Sequence, residues 1–158
     1  MEVAMPVQKL KEYLDSHKIE YVTINHSLAY TAQRIAASAH ISGRMIAKTV
    51  VLKADGKLKM AVLPASHKID FENAKRVLNA QVVEIASEKE FCNIFPDCEV
   101  GAMPPFGNLY NMDVYVADRL TQDEEITFNA GSHRELIKMA YKDYEKLVKP
   151  TIVPICNK

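Results

Sequence analysis

Seven residues, Gly101-Ala102-Met103-Pro104-Pro105-Phe106-Gly107, constrain this chain more than any other stretch, because they suit neither a helix interior nor a strand interior. Adjacent prolines fix φ and push the residues before them toward extended geometry, and a glycine at each end allows turns that side chains forbid. The consequence is a stiff, pre-shaped loop. Pro104 and Pro105 have no N–H, so the free amides lie on either side, at Gly101 to Met103 and at Phe106 to Asn108. Those amides can point at a carbonyl or phosphate oxygen of a ligand. The plainer alternative is a tight connection between two strands.

Before that loop the chain alternates helices and short strands. Pro6 suits a first helical turn, and Val7, Leu10, Tyr13 and Leu14 then recur at helical spacing to near His17. Ile19 to Ile24 is a strand delivering His26 to a loop, where a structural histidine holding the loop is the favoured reading. Thr31 can cap a helix over Ala32 to Ala39. Ile46 to Lys53 and Leu58 to Leu63 form a hairpin across Asp55-Gly56. Alternation sets Ile46, Lys48, Val50 and Leu52 on one face, which makes Lys48 the single charge on an apolar surface. That is costly unless the ammonium meets a partner or a substrate oxygen, so a functional role is preferred over a snorkelling edge lysine. A helix within Ser66 to Ala80, capped by Asp70 and burying Phe71, Ala74 and Leu78, is followed by a strand at Gln81 to Ile85 and a brief helix from Ser87.

After the loop, Asp113 to Ala117 is a strand with Asp118 just beyond it, either a turn residue or a group that orders a ligand. Ile126 to Phe128 is another strand, passing through Asn129-Ala130-Gly131 to a helix begun by the capping box Ser132-His133-Arg134-Glu135. Exposed amides at such a helix start suit an anion; ordinary capping is the alternative. In that helix Arg134, Lys138, Lys142 and Lys146 recur every four residues as a basic stripe, diluted by acidic neighbours. Either it is a solvated face or it touches RNA phosphates. The segment Thr151 to Ile155 adds a last strand.

Twenty basic and twenty acidic residues cancel, so any RNA contact comes from a local patch and not from a global field. Cys92, Cys98 and Cys156 are scattered without a CxxC, which argues against zinc and against a disulfide framework and points to reduced thiols in a cytoplasmic protein. A GxSxG elbow, an HExxH helix and a Walker loop are all missing.

Gly101, Pro105 and Gly107 match a GxxxPxG loop, and three further stretches agree in order: His26 with Tyr30-Thr31, Ala47-Lys48-Thr49-Val50-Val51, and Asn129-Ala130-Gly131-Ser132-His133. On these the chain resembles the YbaK and prolyl-tRNA-synthetase-associated domain family, which hydrolyses wrongly charged aminoacyl-tRNA. The resemblance implies one domain over residues 1–158, an α+β fold with a curled mixed β-sheet or barrel-like core surrounded by helices. It implies an aminoacyl-tRNA deacylase proofreading in trans, with alanine, cysteine or serine on tRNA-Pro or a related tRNA as substrate. It makes Lys48, Gly101 and Gly107 catalytic, with the backbone from Gly101 to Gly107 holding the carbonyl and terminal adenosine. Tyr30, Thr31, Met103, Pro105, Phe106, Asp118, Asn129, Gly131, Ser132 and His133 would bind substrate, and Arg134, Lys138 and Lys142 the tRNA. Met103-Pro104 departs from relatives that carry small residues there, which leaves the preferred amino acid open. The expected partners are mischarged tRNA and a synthetase, with no cofactor, metal, membrane or DNA. The rival readings are a noncatalytic module binding aminoacyl-tRNA or a synthetase, and a domain binding a small acidic metabolite.

Overall fold

The computed structural model describes residues 6–25, 46–91, 103–122, 124–132 and 135–157. Helix α1 (Pro6–Ser16) starts on its proline and turns Leu10 and Leu14 fully inward. After strand β1 (Tyr21–Asn25), strands β2 (Ile46–Ala54) and β3 (Lys57–Pro64) form the expected hairpin. Asp55 and Gly56 have φ of 49° and 85°, the left-handed pair a two-residue turn needs. The Asp55 carboxylate also accepts the amides of Gln81 and Val82, which pins strand β5 (Val83–Ile85) alongside β2.

Between them lie β4 (Lys68–Ile69) and helix α2 (Phe71–Leu78), and α3 (Glu88–Phe91) follows β5. Asp70 caps α2 as expected, accepting the Asn73 amide at 3.1 Å. Ala74 is buried on the inner side of that helix, whereas Phe71, expected there too, is exposed at its first position. A 3-10 turn at Gly107–Leu109 precedes β6 (Val114–Ala117), and another at Asp118–Gln122 follows it. Then come β7 (Glu125–Ser132), β8 (Glu135–Ala140), helix α4 (Tyr141–Val148), β9 (Thr151–Val153) and β10 (Cys156–Asn157).

The main sheet runs in the order β1-β8-β7-β2-β3-β6-β9, with β5 added on β2. The β2–β7, β3–β6 and β6–β9 pairs are parallel and the others antiparallel, so the sheet is mixed as expected. It does not close into a barrel: β1 and β9 are its two ends, and β10 leaves to form a separate ribbon with β4. Both faces are covered. One face packs Ala47, Val51, Val62 and Phe128 against α1 and α4 through Leu10, Leu14 and Tyr144. The other packs Leu52, Leu63 and Ala117 against α2 and the chain's end through Ala74 and Ile155.

The helix expected from Ser132 is a strand instead. Ser132 pairs with Glu135 and the chain turns back as β8, which is hydrogen-bonded on both sides, to β7 and to β1. Leu136 and Ile137 are both fully buried, one on each face, so the strand lacks the period-2 pattern that would have marked it. Helix begins only at Tyr141. Lys138 and Lys142 therefore do not share a helix face: Lys138 stands on β8, 4.0 Å from Glu125, and Lys142 is exposed on α4. Arg134 and His133 lie outside the described residues, as do His26, Tyr30, Thr31, Gly101 and the expected helix over residues 32–39. No helix among the described residues is long and apolar enough to cross a membrane.

Candidate functional site

Lys48 projects from β2 with the parity of Ile46, Val50 and Leu52, as its alternation requires, and so belongs to the face covered by α2 and the chain's end. Its neighbours across the sheet follow from register. Leu63 of β3 is its direct partner, and the parallel pairing of β2 with β7, through Ile46–Thr127 and Ala47–Phe128, ends one residue before it. Lys48 is half-buried, and among the described residues none forms an ion pair or hydrogen bond with its ammonium. Burial holds its pKa below the ordinary lysine value; Cys156 pulls it back up and Lys68 pushes it further down.

Cys156 is the second member of this corner. Its pairing with Ile69 in the β4–β10 ribbon brings its sulfur to 3.5 Å from Nδ1 of His67, a histidine that is 2% exposed. Burial, and after it the Asp118 carboxylate, raise the thiol pKa, while Arg119 and Lys48 lower it. A thiol held above its ordinary value is a poor nucleophile at neutral pH. Asp118 sits where the sequence placed it, just past β6, exposed, with its carbonyl accepting the Thr121 hydroxyl at 2.6 Å. The structure thus gathers Lys48, His67, Lys68, Asp118, Arg119 and Cys156 around one corner of the sheet. Sequence reading found Lys48 and Asp118 and missed the rest. No spacing could have shown His67 and Cys156 together, because a ribbon between distant segments joins them.

Met103 and Phe106 do not line this corner. They are 5% and 0% exposed within the opposite core, where Phe106 meets Tyr13, Phe128 and Tyr144 edge-on. Pro105 is buried and its carbonyl accepts the Tyr144 hydroxyl at 2.6 Å. The described part of the loop is also closed on itself: Phe106 donates its amide to the Pro104 carbonyl, and the Gly107 carbonyl accepts from Tyr110 and Met112. A Cβ on Gly107 would stand 2.5 Å from the Met112 carbonyl oxygen, so close packing accounts for that glycine. Gly131 has a similar local reason, since φ is 103° at the irregularity between Asn129 and Ser132 where β7 meets β8. It does not open a helix, so no helix dipole is available there for an anion.

Two polar side chains share the Lys48 face on β7. Thr127 and Asn129 are 0% and 6% exposed, and the hydroxyl of the first and the side-chain carbonyl of the second have no hydrogen-bond partner. Metal-ligand clusters are absent among the described residues.

This fold is shared with solved proteins. A crystal structure described as a candidate trans-editing enzyme for prolyl tRNA synthetase superposes with TM-score 0.84 at 16% identity, over 99% of this chain and 100% of that one. The hypothetical protein APE2540 gives TM-score 0.84 at 16% identity, over 94% and 99%. At such identity the likeness is one of fold. Sequence goes further, because the model of the aminoacyl-tRNA editing domain family matches residues 26–147, and the chain belongs to that family. A proline--tRNA ligase of Bacillus mycoides is 30% identical over 86 residues, and one of Bacillus cytotoxicus is 31% identical over 86. Each match covers 54% of this chain and only 15% of the relative's length.

Proposed function

We propose that this protein is an aminoacyl-tRNA deacylase that hydrolyses the ester of tRNA mischarged with a small amino acid, alanine, cysteine or serine, on tRNA-Pro or a related tRNA. The observation that carries this reading is a half-buried lysine in an editing-family fold, its ammonium unpaired among the described residues. An ammonium so placed is suited to a substrate oxygen, whether the ester carbonyl or the terminal phosphate. The Cys156–His67 pair does not supply a ready thiolate, which favours direct attack by water over a covalent acyl-enzyme. An aminoacyl ester is already activated, and positioning plus charge stabilisation suffice for its hydrolysis. Water is oriented in part by the tRNA's own ribose hydroxyl.

Because Met103 and Phe106 belong to the core on the other face of the sheet, their side chains do not select the substrate at Lys48. The phosphates approach through Lys68 and Arg119, exposed cations that flank Lys48 and Cys156, in place of a stripe through Arg134, Lys138 and Lys142. Selection is by volume, which rejects what does not fit better than what is too small. Proofreading takes place in the cytoplasm, on tRNA released from a synthetase.

The test is a panel of tRNAs carrying alanine, cysteine, serine or proline, assayed for release of the amino acid. Release of at least one small noncognate amino acid, lost in Lys48→Ala, is the expected result. Tight binding without release above the uncatalysed rate overturns the deacylase and leaves the noncatalytic module.

A further inference from the structure

A cleft of about 550 Å³ opens where β6 and β9 begin, at the end of the sheet. Asn108, Asn111, Asp113, Lys149 and Thr151 line it and are all exposed, while the buried Val114 and Val148 give it an apolar floor. Its size is that of a small-molecule site. The polar groups are held in place. The Gly107 carbonyl accepts the amides of Tyr110 and Met112, and that tight turn sets Asn111 at a φ of 55°. Asn108 donates through Nδ2 to the Tyr13 hydroxyl at 3.0 Å, which leaves its side-chain carbonyl as an acceptor. Asp113 is fixed by Lys59 at 2.7 Å. The side chains of Asn111, Lys149 and Thr151 have no partner among the described residues.

A carboxamide presents a donor and an acceptor in one plane, which complements the edge of a nucleobase, and an apolar floor suits the base's face. A carboxylate and a hydroxyl beside it suit the hydroxyls of a ribose. We propose that this cleft seats one nucleoside unit, with Asn108 and Asn111 on the base edge and Asp113 and Thr151 on the sugar. Two sources share that chemistry, a residue of an RNA strand and a free mononucleotide. The RNA source rests on the deacylase reading above and is consistent with the register. Lys48 pairs with Leu63, while Ala61, two residues before Leu63, pairs with Tyr115, and Tyr115 with Thr151, so the cleft meets the face of Lys48. Strand spacing and rise put Tyr115 about 12 Å from Lys48, measured along the sheet. A stacked strand covers that distance in about three or four nucleotides.

The test follows the NMR signals of the Asn108 and Asn111 carboxamides and the Thr151 amide. AMP, GMP, CMP and UMP are added, and separately an acceptor-end RNA probe whose 3′ end carries alanine through a non-hydrolysable amide. Saturable shifts are expected: with the RNA alone they assign the strand, with a mononucleotide alone the free nucleotide, and with both in competition one shared seat. Asn111→Gly deletes the carboxamide and keeps the left-handed backbone, and Thr151→Val deletes the hydroxyl. Each weakens binding by about 3- to 10-fold, whereas Lys142→Ala, exposed on α4, stays within about 2-fold. Shifts with none of these ligands, equal shifts with a free hexose at the same concentration, or unchanged affinity in either cleft variant overturns the seat. Mononucleotide binding in a protein that releases no amino acid sinks the deacylase and leaves the seat standing. Release of the amino acid without any of these shifts does the reverse.

Discussion

Replacing Gly107 with alanine separates a steric reading of the loop's second glycine from a catalytic one. The added Cβ would lie 2.5 Å from the Met112 carbonyl oxygen and 2.6 Å from Cγ2 of Val114. Non-bonded carbon contacts settle near 3.5 Å, so the surroundings must give by about 1 Å in two directions at once. Met112 cannot simply retreat, because its amide donates to the Gly107 carbonyl at 2.9 Å and its side chain is buried. Val114 is fixed by its place in β6 beside Met60. Overpacking a tight site costs about 1–3 kcal/mol, and since one obstacle is backbone the upper part, about 2–3 kcal/mol, is expected. With a urea slope of about 2 kcal/mol per molar, the unfolding midpoint falls by about 1–1.5 M. Circular dichroism reads this in a chain without tryptophan. Deacylation per folded molecule stays within about 3-fold, because the amides around Gly107 serve the turn and not the substrate. An unchanged midpoint, or a folded variant that has lost its activity, refutes the steric account.

Burial holds the Lys48 ammonium below its ordinary value of 10.5, so the folded state loses that proton at lower pH than the unfolded chain does. Between the two values the unfolded state binds more protons, and stability rises with pH. Lys48→Met abolishes that rise and is no less stable than wild type at neutral pH by urea unfolding, while deacylation drops by about 100-fold or more. Wild-type activity, if it needs the ammonium, declines on the alkaline side below pH 10.5. Lys68→Ala and Arg119→Ala each reduce the slope of log affinity against log salt for the RNA probe by about 0.7 per lost phosphate contact, whereas Lys142→Ala leaves it unchanged. Tyr144→Phe strands the buried Pro105 carbonyl, now bonded at 2.6 Å, and lowers stability by about 1–3 kcal/mol in the same unfolding assay.

Much of the scaffold was legible in local chemistry. Asp55-Gly56 announced its hairpin, Asp70 its cap, and alternation along Ile46 to Lys53 put Lys48 on the correct face. The failures came where tertiary pairing overrode local signals. Ser132 and Glu135 have capping-box spacing, but β8 sits between two partners, and its ladder hydrogen bonds outweigh a helix start. Phe106 packs in the core although the motif around it resembles one that contacts substrate; nothing in seven residues tells which side of a sheet they cover. The loop was legible as rigid, its direction was not. His67, Cys156 and Thr127 carried no pattern at all, since their meaning comes from strands that meet only in the folded chain.

The parallel pairing of β2 with β7 has a kinetic consequence. A hairpin such as β2–β3 closes in microseconds, whereas two parallel strands so far apart in sequence must first close a long loop, which is entropically uphill and slow. Lys48 is thus in place on its strand early, while β7 joins that strand only when its own segment has been synthesised and docked. A nascent chain that has already built its hairpin still lacks the neighbour on that strand's other edge, so the sheet is completed late, with the last long-range closure.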